Sequence, residues 1–164
     1  MQKFEIEHKF LIKKPDEALL KESVDIRILE IAQTYTTEGS RIRSIEEKGQ
    51  ITYIKTVKKH ISDLVRLETE EEITLQEYEA LLKLKQPDTI TLNKTRYVYP
   101  YKNKNIEIDI FPFWQNQAFL EIELESERDT FELPDFVEVI REVTSDKAYR
   151  NYALSKKIPK EENF

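Results

Sequence analysis

A strand-like alternation marks the segment Phe4-Glu5-Ile6-Glu7-His8-Lys9-Phe10, in which charged and bulky side chains take turns. Successive side chains of a β-strand point to opposite faces, so Glu5, Glu7 and Lys9 share one face. A sheet face that carries two carboxylates and an ammonium group needs solvent, a metal ion or an anionic ligand against it. The segment therefore predicts a strand whose charged side does not belong to an ordinary apolar core.

The same period of two residues recurs in further segments along the chain. Charged residues share one face in each of them: Arg41 and Arg43; Lys55 with Tyr53; Arg66, Glu68, Glu70 and Glu72; Lys94 and Arg96; Glu107 and Asp109; Glu121, Glu123 and Glu125. The plain interpretation is an antiparallel sheet with its charged face in water. Solvated faces usually mix Thr, Ser, Gln and Lys, whereas these consist of basic doublets and runs of Glu. This weakens the plain interpretation, and a sheet that curls until the charged faces meet would enclose a charged interior and turn its apolar faces outward.

Four segments are predicted to be helices that cover those outer faces. Thr74 precedes Glu77 by three residues, which is the spacing of a capping box, and it opens a helix over residues 74–83. Apolar residues at near-helical spacing predict further helices over residues 15–22, 135–143 and 147–156. The expected fold class is α+β, with an antiparallel sheet and helices packed on its outer face.

Length and charge restrict the class of protein. The chain has 164 residues, only two Gly and no Cys, which favours one domain over residues 1–164 without a linker, a disulfide framework or a thiolate metal site. The net charge of −6 disfavours a nucleic-acid partner. No apolar run approaches the length of about 20 residues that a membrane-spanning helix needs. We expect a cytoplasmic protein with no membrane partner, in which only the tail over residues 156–164 looks loose.

The basic residues of the charged faces predict a local anion site. Their cationic heads would converge from five strands: Lys9, Arg41, Arg43, Lys55, Arg66, Lys94 and Arg96. Guanidinium groups suit bidentate contact with phosphate oxygens. Left empty, such a cluster repels itself, so it requires either the neighbouring carboxylates as counter-ions or a highly charged small-molecule ligand such as a di- or triphosphate.

The carboxylates on the same faces predict a divalent metal ion. Glu5 and Glu7 form one Glu-x-Glu pair, and Glu121 and Glu123 form another. These ligands are hard oxygens, which suit Mg²⁺ or Mn²⁺ and not zinc. A divalent ion that bridges phosphate oxygens is the usual arrangement for phosphoryl transfer.

These residues also carry a resemblance to a known family. Glu5-Ile6-Glu7-His8-Lys9 resembles the Glu-x-Glu-x-Lys signature of the CYTH family, also called triphosphate tunnel metalloenzymes. The downstream motifs of the family match in order: Arg41-Ile42-Arg43, Lys55, Arg66-Leu67-Glu68-Thr69-Glu70, Lys94-Thr95-Arg96, Glu107-Ile108-Asp109 and Glu121-Ile122-Glu123. The resemblance spans most of the chain.

The resemblance implies an antiparallel β-barrel tunnel of about eight strands that binds a triphosphate in its interior. It implies phosphate-binding roles for Lys9, Arg41, Arg43, Lys55, Arg66, Lys94 and Arg96. It implies metal ligands at Glu5, Glu7, Asp109, Glu121 and Glu123, with Glu70 assisting, and catalytic roles for Glu5, Glu7, Lys9, Glu121 and Glu123. Arg96 is the least secure of the cations.

Residues 142–154 resemble the Glu-Val-Thr-x-Asp-x-x-Tyr-x-Asn ending of short bacterial members associated with inorganic triphosphatase activity, with Ser145 where relatives often carry Gly. This favours metal-dependent hydrolysis of inorganic triphosphate to diphosphate and phosphate. The alternatives are a nucleoside or thiamine triphosphatase, an adenylate cyclase, or a non-catalytic polyphosphate-binding or nucleotide-binding protein. The choice between Mg²⁺ and Mn²⁺, a homodimeric state, and a lid residue, Lys147 or Arg150, stay open.

Overall fold

The computed structural model describes residues 1–162, and the last two residues of the predicted domain lie outside the described part. Within the described residues the chain forms nine strands and a few short helices, in this order: β1 (Gln2–Lys13), α1 (Glu17–Lys21), β2 (Arg27–Tyr35), β3 (Arg41–Glu47), β4 (Gln50–His60), β5 (Val65–Ile73), α2 (Leu75–Leu82), β6 (Leu92–Tyr101), β7 (Lys104–Ile110), β8 (Gln117–Glu123), β9 (Val139–Glu142), a short 3-10 helix (Lys147–Tyr149) and α3 (Asn151–Lys156). None of the helices within residues 1–162 has the length and apolar character to cross a membrane.

Eight of the strands form a closed antiparallel barrel in the order β5-β4-β3-β2-β6-β7-β8-β1, because β1 also pairs with β5. Residues 2–6 of β1 pair with β5, and residues 7–13 pair with β8. The ninth strand, β9, pairs with Phe10, Leu11 and Ile12 of β1, beyond the point where β5 ends. The barrel confirms the predicted fold class.

The outer face of the barrel carries a large apolar core over β1, β6, β7 and β8. Its buried members include Phe10, Tyr97, Ile108, Leu120 and Ile122. Leu20 of α1 packs into this core, and so does an irregular segment through Phe131, Leu133, Phe136 and Val137. The apolar strand faces therefore point outward, as the alternation predicts, but a loop covers much of them instead of a helix.

The helix predictions are confirmed at three segments and wrong at one. Asp16 caps α1, and Thr74 and Glu77 form the predicted capping box of α2. Residues 147–156 form the short 3-10 helix followed by α3. The helix expected over residues 135–143 is instead a turn and the strand β9. The free edge of β1 offers backbone hydrogen bonds there, and pairing with it outweighs the helical spacing of the apolar residues.

A second apolar cluster contains inward-facing residues from one end of the barrel together with the C-terminal segment. It contains Leu11, Leu92, Phe111, Trp114, Phe119, Val143, Tyr149 and Leu154. The tail that follows is not loose as far as it is described. The Trp114 indole nitrogen donates to the carbonyl of Pro159 over 3.0 Å, and the amide of Glu162 donates to Gln117 over 2.9 Å. The C-terminal segment thus packs against that end of the barrel.

Candidate active site

The strand register decides which side chains point into the barrel, because directly paired residues of antiparallel strands point to the same side. Lys9 pairs with Glu121, Glu5 pairs with Arg66, and Arg96 pairs with Asp109. Carried from strand to strand, this register places most of the predicted site residues on one inner face: Glu5, Glu7, Lys9, Arg41, Arg43, Arg66, Lys94, Arg96, Asp109, Glu121 and Glu123.

Lys55 is the exception, and the prediction that it faces the interior is wrong. Arg41 on the inner face pairs with Thr56, whereas Lys55 pairs with Ile42 on the outer face. Lys58 takes the inner position on β4. Its ammonium group donates to a Glu5 carboxylate oxygen over 2.8 Å and lies 3.7 Å from Glu68.

A cavity of about 460 Å³ opens on this inner face. Its rim is formed by the β2–β3 connection at Ser40, the β4–β5 loop at Asp63 and Leu64, and C-terminal residues including Arg150 and Tyr152. We call its inner charged lining the cavity wall: Glu5, Glu7, Lys9, Arg41, Lys58 and Arg66. Cations and carboxylates of four consecutive barrel strands, β1, β5, β4 and β3, thus meet at one opening.

The carboxylates of the cavity wall are close enough to repel one another. Burial raises the pKa of Glu7 well above its ordinary value, and the charges of Glu121 and Glu5 raise it further. One carboxylate oxygen of Glu121 is buried and accepts no hydrogen bond, and Lys9 approaches that oxygen to 3.6 Å. Buried acceptors without donors are costly and are usually satisfied by water or an ion.

This donor set fits a hard divalent cation. Glu5, Glu7 and Glu121 offer only carboxylate oxygens, the ligand type that Mg²⁺ and Mn²⁺ prefer. The mutual repulsion at Glu7 is the kind that a bound cation removes. Within residues 1–162, however, no three His, Asp or Glu side chains already converge around one metal position. The chemistry of the residues fits a metal, while their placement is not a preformed cage.

The cations of the inner face are only partly neutralised. Burial lowers the pKa of Arg43 to about 9, and the charges of Arg41 and Arg96 act in the same direction. Glu70 is its ion-pair partner at 3.1 Å. The Lys9 ammonium donates to the backbone carbonyl of Tyr149 over 2.8 Å. An anion in the cavity would relieve the repulsion among these guanidinium groups.

A second group of charges, on β6 and β7, is closely paired and does not line the cavity. We call Lys94, Arg96, Glu107 and Asp109 the paired wall. Asp109 accepts from Lys94 over 2.8 Å and from Arg96 over 2.7 and 2.8 Å, and Arg96 also lies 2.8 Å from Glu107. Burial alone would raise the pKa of Asp109, but the charges of Arg96 and Lys94 outweigh it and hold that pKa well below its ordinary value. Arg96, the least secure cation of the sequence prediction, thus does face inward.

Glu123 shares the inner face but stands apart from the cavity. It pairs with Glu7 in the strand register, forms an ion pair with Lys3 at 3.5 Å and is about half exposed.

The sequence prediction of the phosphate site missed two residues that line the cavity, Lys58 and Arg150. Lys58 lies on a strand with lysines on both faces, so periodicity does not single it out. Arg150 lies outside the strands, where the alternation of charge gives no signal, and the sequence offers it only as a candidate lid residue.

A family model and solved structures were compared with the chain, and they agree with each other. A sequence model of the CYTH domain matches residues 3–151. The solved structure of the inorganic triphosphatase NE1496 is 26% identical, covers 95% of this chain and 97% of its own, and has a TM-score of 0.57. A conserved protein of Pyrococcus furiosus is 21% identical, with a TM-score of 0.52 and coverage of 76% of this chain and 80% of its own. No curated protein sequence is significantly similar to the chain.

Proposed function

The chain belongs to the CYTH domain family, and from this premise we propose that it hydrolyses inorganic triphosphate to diphosphate and phosphate in a metal-dependent reaction. The observation that carries the proposal is the cavity wall, in which Glu5 and Glu7 lie beside Arg41, Lys58 and Arg66. Carboxylates for a cation and guanidinium groups for a polyanion occupy the same opening. The similarity to the inorganic triphosphatase NE1496 supports this substrate over others.

The cations of the inner face bind and orient the anion. Lys9, Arg41 and Arg66 meet it in the cavity, and Lys58 joins them in place of Lys55. Arg43, Lys94 and Arg96 share the inner face but do not line the cavity, and Asp109 and Glu107 neutralise Lys94 and Arg96, so Arg43 is the one of the three whose charge adds to the field. Fixed positive charge in a partly buried site holds the phosphates more strongly than it would in water and needs no reorganisation during reaction.

The carboxylates supply the other half of the reaction. Glu5, Glu7 and Glu121 would hold the divalent ion. Asp109 and Glu123, which the sequence also predicts as metal ligands, share the inner face, but Asp109 is paired with Lys94 and Arg96 and Glu123 stands apart from the cavity. When bound, Mg²⁺ or Mn²⁺ supplies charge neutralisation and acidifies a coordinated water. Water attacks the terminal phosphorus, the bond from that phosphorus to the bridging oxygen breaks, and a neighbouring carboxylate such as Glu7 accepts the proton. Diphosphate leaves, and the new phosphate carries the oxygen of the water.

Two rival functions make different predictions. A nucleoside or thiamine triphosphatase, or an adenylate cyclase, would prefer a substrate with an organic group. A non-catalytic binding protein would hold polyphosphate or a nucleotide without releasing phosphate. The buried carboxylate oxygen of Glu121, which accepts no hydrogen bond within the described part of the chain and has only the Lys9 ammonium 3.6 Å away, favours a metal-dependent enzyme over a non-catalytic anion-binding protein.

The test is release of phosphate from inorganic triphosphate and from ATP, measured side by side with Mg²⁺, with Mn²⁺ and with chelator. We expect release that requires metal and strongly favours inorganic triphosphate. Preference for ATP would move the proposal to the nucleotide, with cyclic AMP as a product to assay. Tight binding without release from either substrate would refute the hydrolase.

A further inference from the structure

Arg150 stands at the rim of the cavity, at the start of α3. Its side chain lines the opening together with Arg66 and Asp63, a residue of the β4–β5 loop on the facing side. A guanidinium nitrogen of Arg150 lies 3.5 Å from an Asp63 carboxylate oxygen. This contact joins the C-terminal segment to the loop across the mouth.

The contact is weak by its geometry. Its length is at the limit of a hydrogen bond, and the Asp63 side chain is 58% exposed. Exposed pairs of this kind contribute only about 0–1 kcal/mol. The Nε of Arg150 is buried and donates to no partner among the described residues. Arg150 therefore has donors in reserve.

The guanidinium group of Arg66 lies close to that of Arg150, and the two positive charges repel each other. Burial lowers the pKa of Arg66, and the positive charge of Arg150 lowers it further. The Arg66 guanidinium donates to backbone carbonyls of the β4–β5 loop, at Ser62 over 2.5 Å and at Asp63 over 3.4 Å. Two cations that repel each other at the mouth create a position that an anion would stabilise.

The backbone beside Arg150 is held in place. The carbonyl of the preceding residue, Tyr149, accepts a hydrogen bond from the Lys9 ammonium over 2.8 Å, and the Tyr149 ring packs in the apolar cluster with Phe119. Arg150 is thus presented to the cavity from a fixed point, and its side chain is the part that can move. Lys147, a cationic residue of the 3-10 helix just before Arg150, is exposed and does not line the cavity.

We propose that Arg150 is a substrate-binding residue, which releases Asp63 and binds a phosphate group when the polyanion enters the mouth. The inference rests on the proposed function and deepens it, because it names a residue outside the barrel strands that recognises the substrate. Exchange of a carboxylate for a phosphate suits Arg, whose planar fork contacts either group with two parallel hydrogen bonds. The pair with Asp63 then keeps the empty mouth partly neutral and competes with the anion.

The direction in which Asp63→Asn changes the Kd distinguishes a substrate-binding Arg150 from an Arg150 that only holds the loop and the C-terminal segment together. Binding of inorganic triphosphate to the folded protein is measured by calorimetry in chelator, where metal-dependent hydrolysis does not consume it. Arg150→Ala is expected to raise the Kd at least about tenfold, since charge-assisted hydrogen bonds are lost. Arg150→Lys should recover part of the loss. Asp63→Asn should lower the Kd by up to about fivefold, because it removes the competing carboxylate. Lys147→Gln, a charge change in the same segment, is the matched control and should leave the Kd unchanged.

An unchanged Kd for Arg150→Ala, or a Kd raised by Asp63→Asn as much as by Arg150→Ala, would overturn the inference. So would a failure of the unaltered protein to bind triphosphate. Thermal unfolding of each variant excludes a loss of fold as the cause. Phosphate release with Mg²⁺ is recorded in parallel: Arg150-dependent binding without any release would retain the inference and refute the hydrolase.

Discussion

The paired wall and the cavity wall are built from the same kinds of residues but differ in what neutralises them. On β6 and β7, Lys94 and Asp109 are 3% and 0% exposed and satisfy each other. On β1, β3 and β5, Glu7 and Arg41 face a cavity, with repulsion among carboxylates and an unpaired guanidinium nitrogen. Where carboxylates and cations are hydrogen-bonded to each other, the interior supports the fold. Where carboxylates repel one another and a guanidinium nitrogen stays unsatisfied, the interior is left for a ligand.

The largest effect should come from breaking the paired wall. Asp109→Ala leaves Lys94 and Arg96 buried without their carboxylate, and removing one partner of a buried ion pair costs about 3–5 kcal/mol. Denaturant unfolding measures the loss. The matched control is Glu132→Ala, which removes a carboxylate from an exposed pair with Lys102 and should leave the free energy of unfolding nearly unchanged. Equal losses in the two variants would contradict the assigned role of the paired wall.

A substitution in the cavity wall should lower activity and leave the stability of the fold largely intact. Glu7→Gln removes a charge that burial and neighbouring carboxylates already disfavour, so folding stability should hold or rise. Turnover of inorganic triphosphate should fall by about 100-fold or more, the usual loss for a group that acts in the transition state. Phosphate release and denaturant unfolding of one preparation measure both. Full activity of Glu7→Gln would remove the first strand from the proposed metal site.

A cation of the cavity wall should show a binding defect. Arg41→Gln keeps a polar side chain of related shape but loses the charge that faces the cavity. Charge-assisted hydrogen bonds are worth about 1.5–3 kcal/mol, so KM should rise about 10-fold to 100-fold with a smaller change in kcat. Steady-state kinetics separate the two parameters. A KM that stays constant would place the phosphates away from β3.

The two walls should respond to pH in opposite directions. The pKa of Asp109 is held low by Arg96 and Lys94, so its contribution to stability is present above the pKa of about 3.9 that Asp has when unfolded and is lost as the pH falls. The pKa of Glu7 is raised by burial and by Glu121 and Glu5. Its contribution is present below the unfolded pKa of about 4.3 and is lost as the pH rises through the raised folded value.

Unfolding free energies from pH 3 to 8 test this contrast. The stability difference between the unaltered protein and Asp109→Asn should shrink toward low pH. The stability of Glu7→Gln relative to the unaltered protein should grow toward high pH, with each proton contributing at most about 1.4 kcal/mol per pH unit. Parallel curves for all three proteins would show that neither carboxyl has a shifted pKa.

The smallest effects compare two lysines of β4. Lys55→Gln changes a side chain on the outer face and should change the free energy of unfolding by less than about 0.5 kcal/mol. Its KM should equal that of the unaltered protein. Lys58→Gln removes the partner of Glu5 inside the cavity and should raise KM several-fold. The two variants carry the same chemical change three residues apart. A stronger defect in Lys55→Gln would mean that the β3–β4 register is shifted by one residue.

Much of this arrangement could be predicted from the alternation of charge. Glu5, Glu7 and Lys9, the Arg41–Arg43 doublet and the Lys94–Arg96 doublet all lie on the inner face, because a period of two fixes which residues of one strand share a side. Periodicity does not say which side is inside. On β4, where lysines occur on both faces, only the hydrogen-bond register with β3 decides it, and Lys55 was assigned to the wrong face.

Tertiary contacts also overrode local patterns near the C-terminus. The apolar spacing around Phe136 and Val139 is close to helical, yet an unpaired edge of β1 draws Val139–Glu142 into a strand. Residues 157–162 carry no pattern of their own, and they are held by Trp114 and Gln117 from a distant turn and strand. The division into a paired wall and a cavity wall likewise depends on register across strands, which the residues of one strand do not encode.

The threefold pairing of β1 also bears on how the barrel is made. The N-terminal half of β1 pairs with β5, and its C-terminal half pairs with β8 and β9. All three partners follow β1 in the sequence, β8 and β9 by more than 100 residues. During synthesis on the ribosome, β1 therefore emerges without most of its final neighbours, and contacts between distant parts of a chain form slowly. Lys9 meets Glu121 only when the barrel closes. A newly made chain that has not completed this pairing therefore lacks the side-chain neighbours of the proposed site.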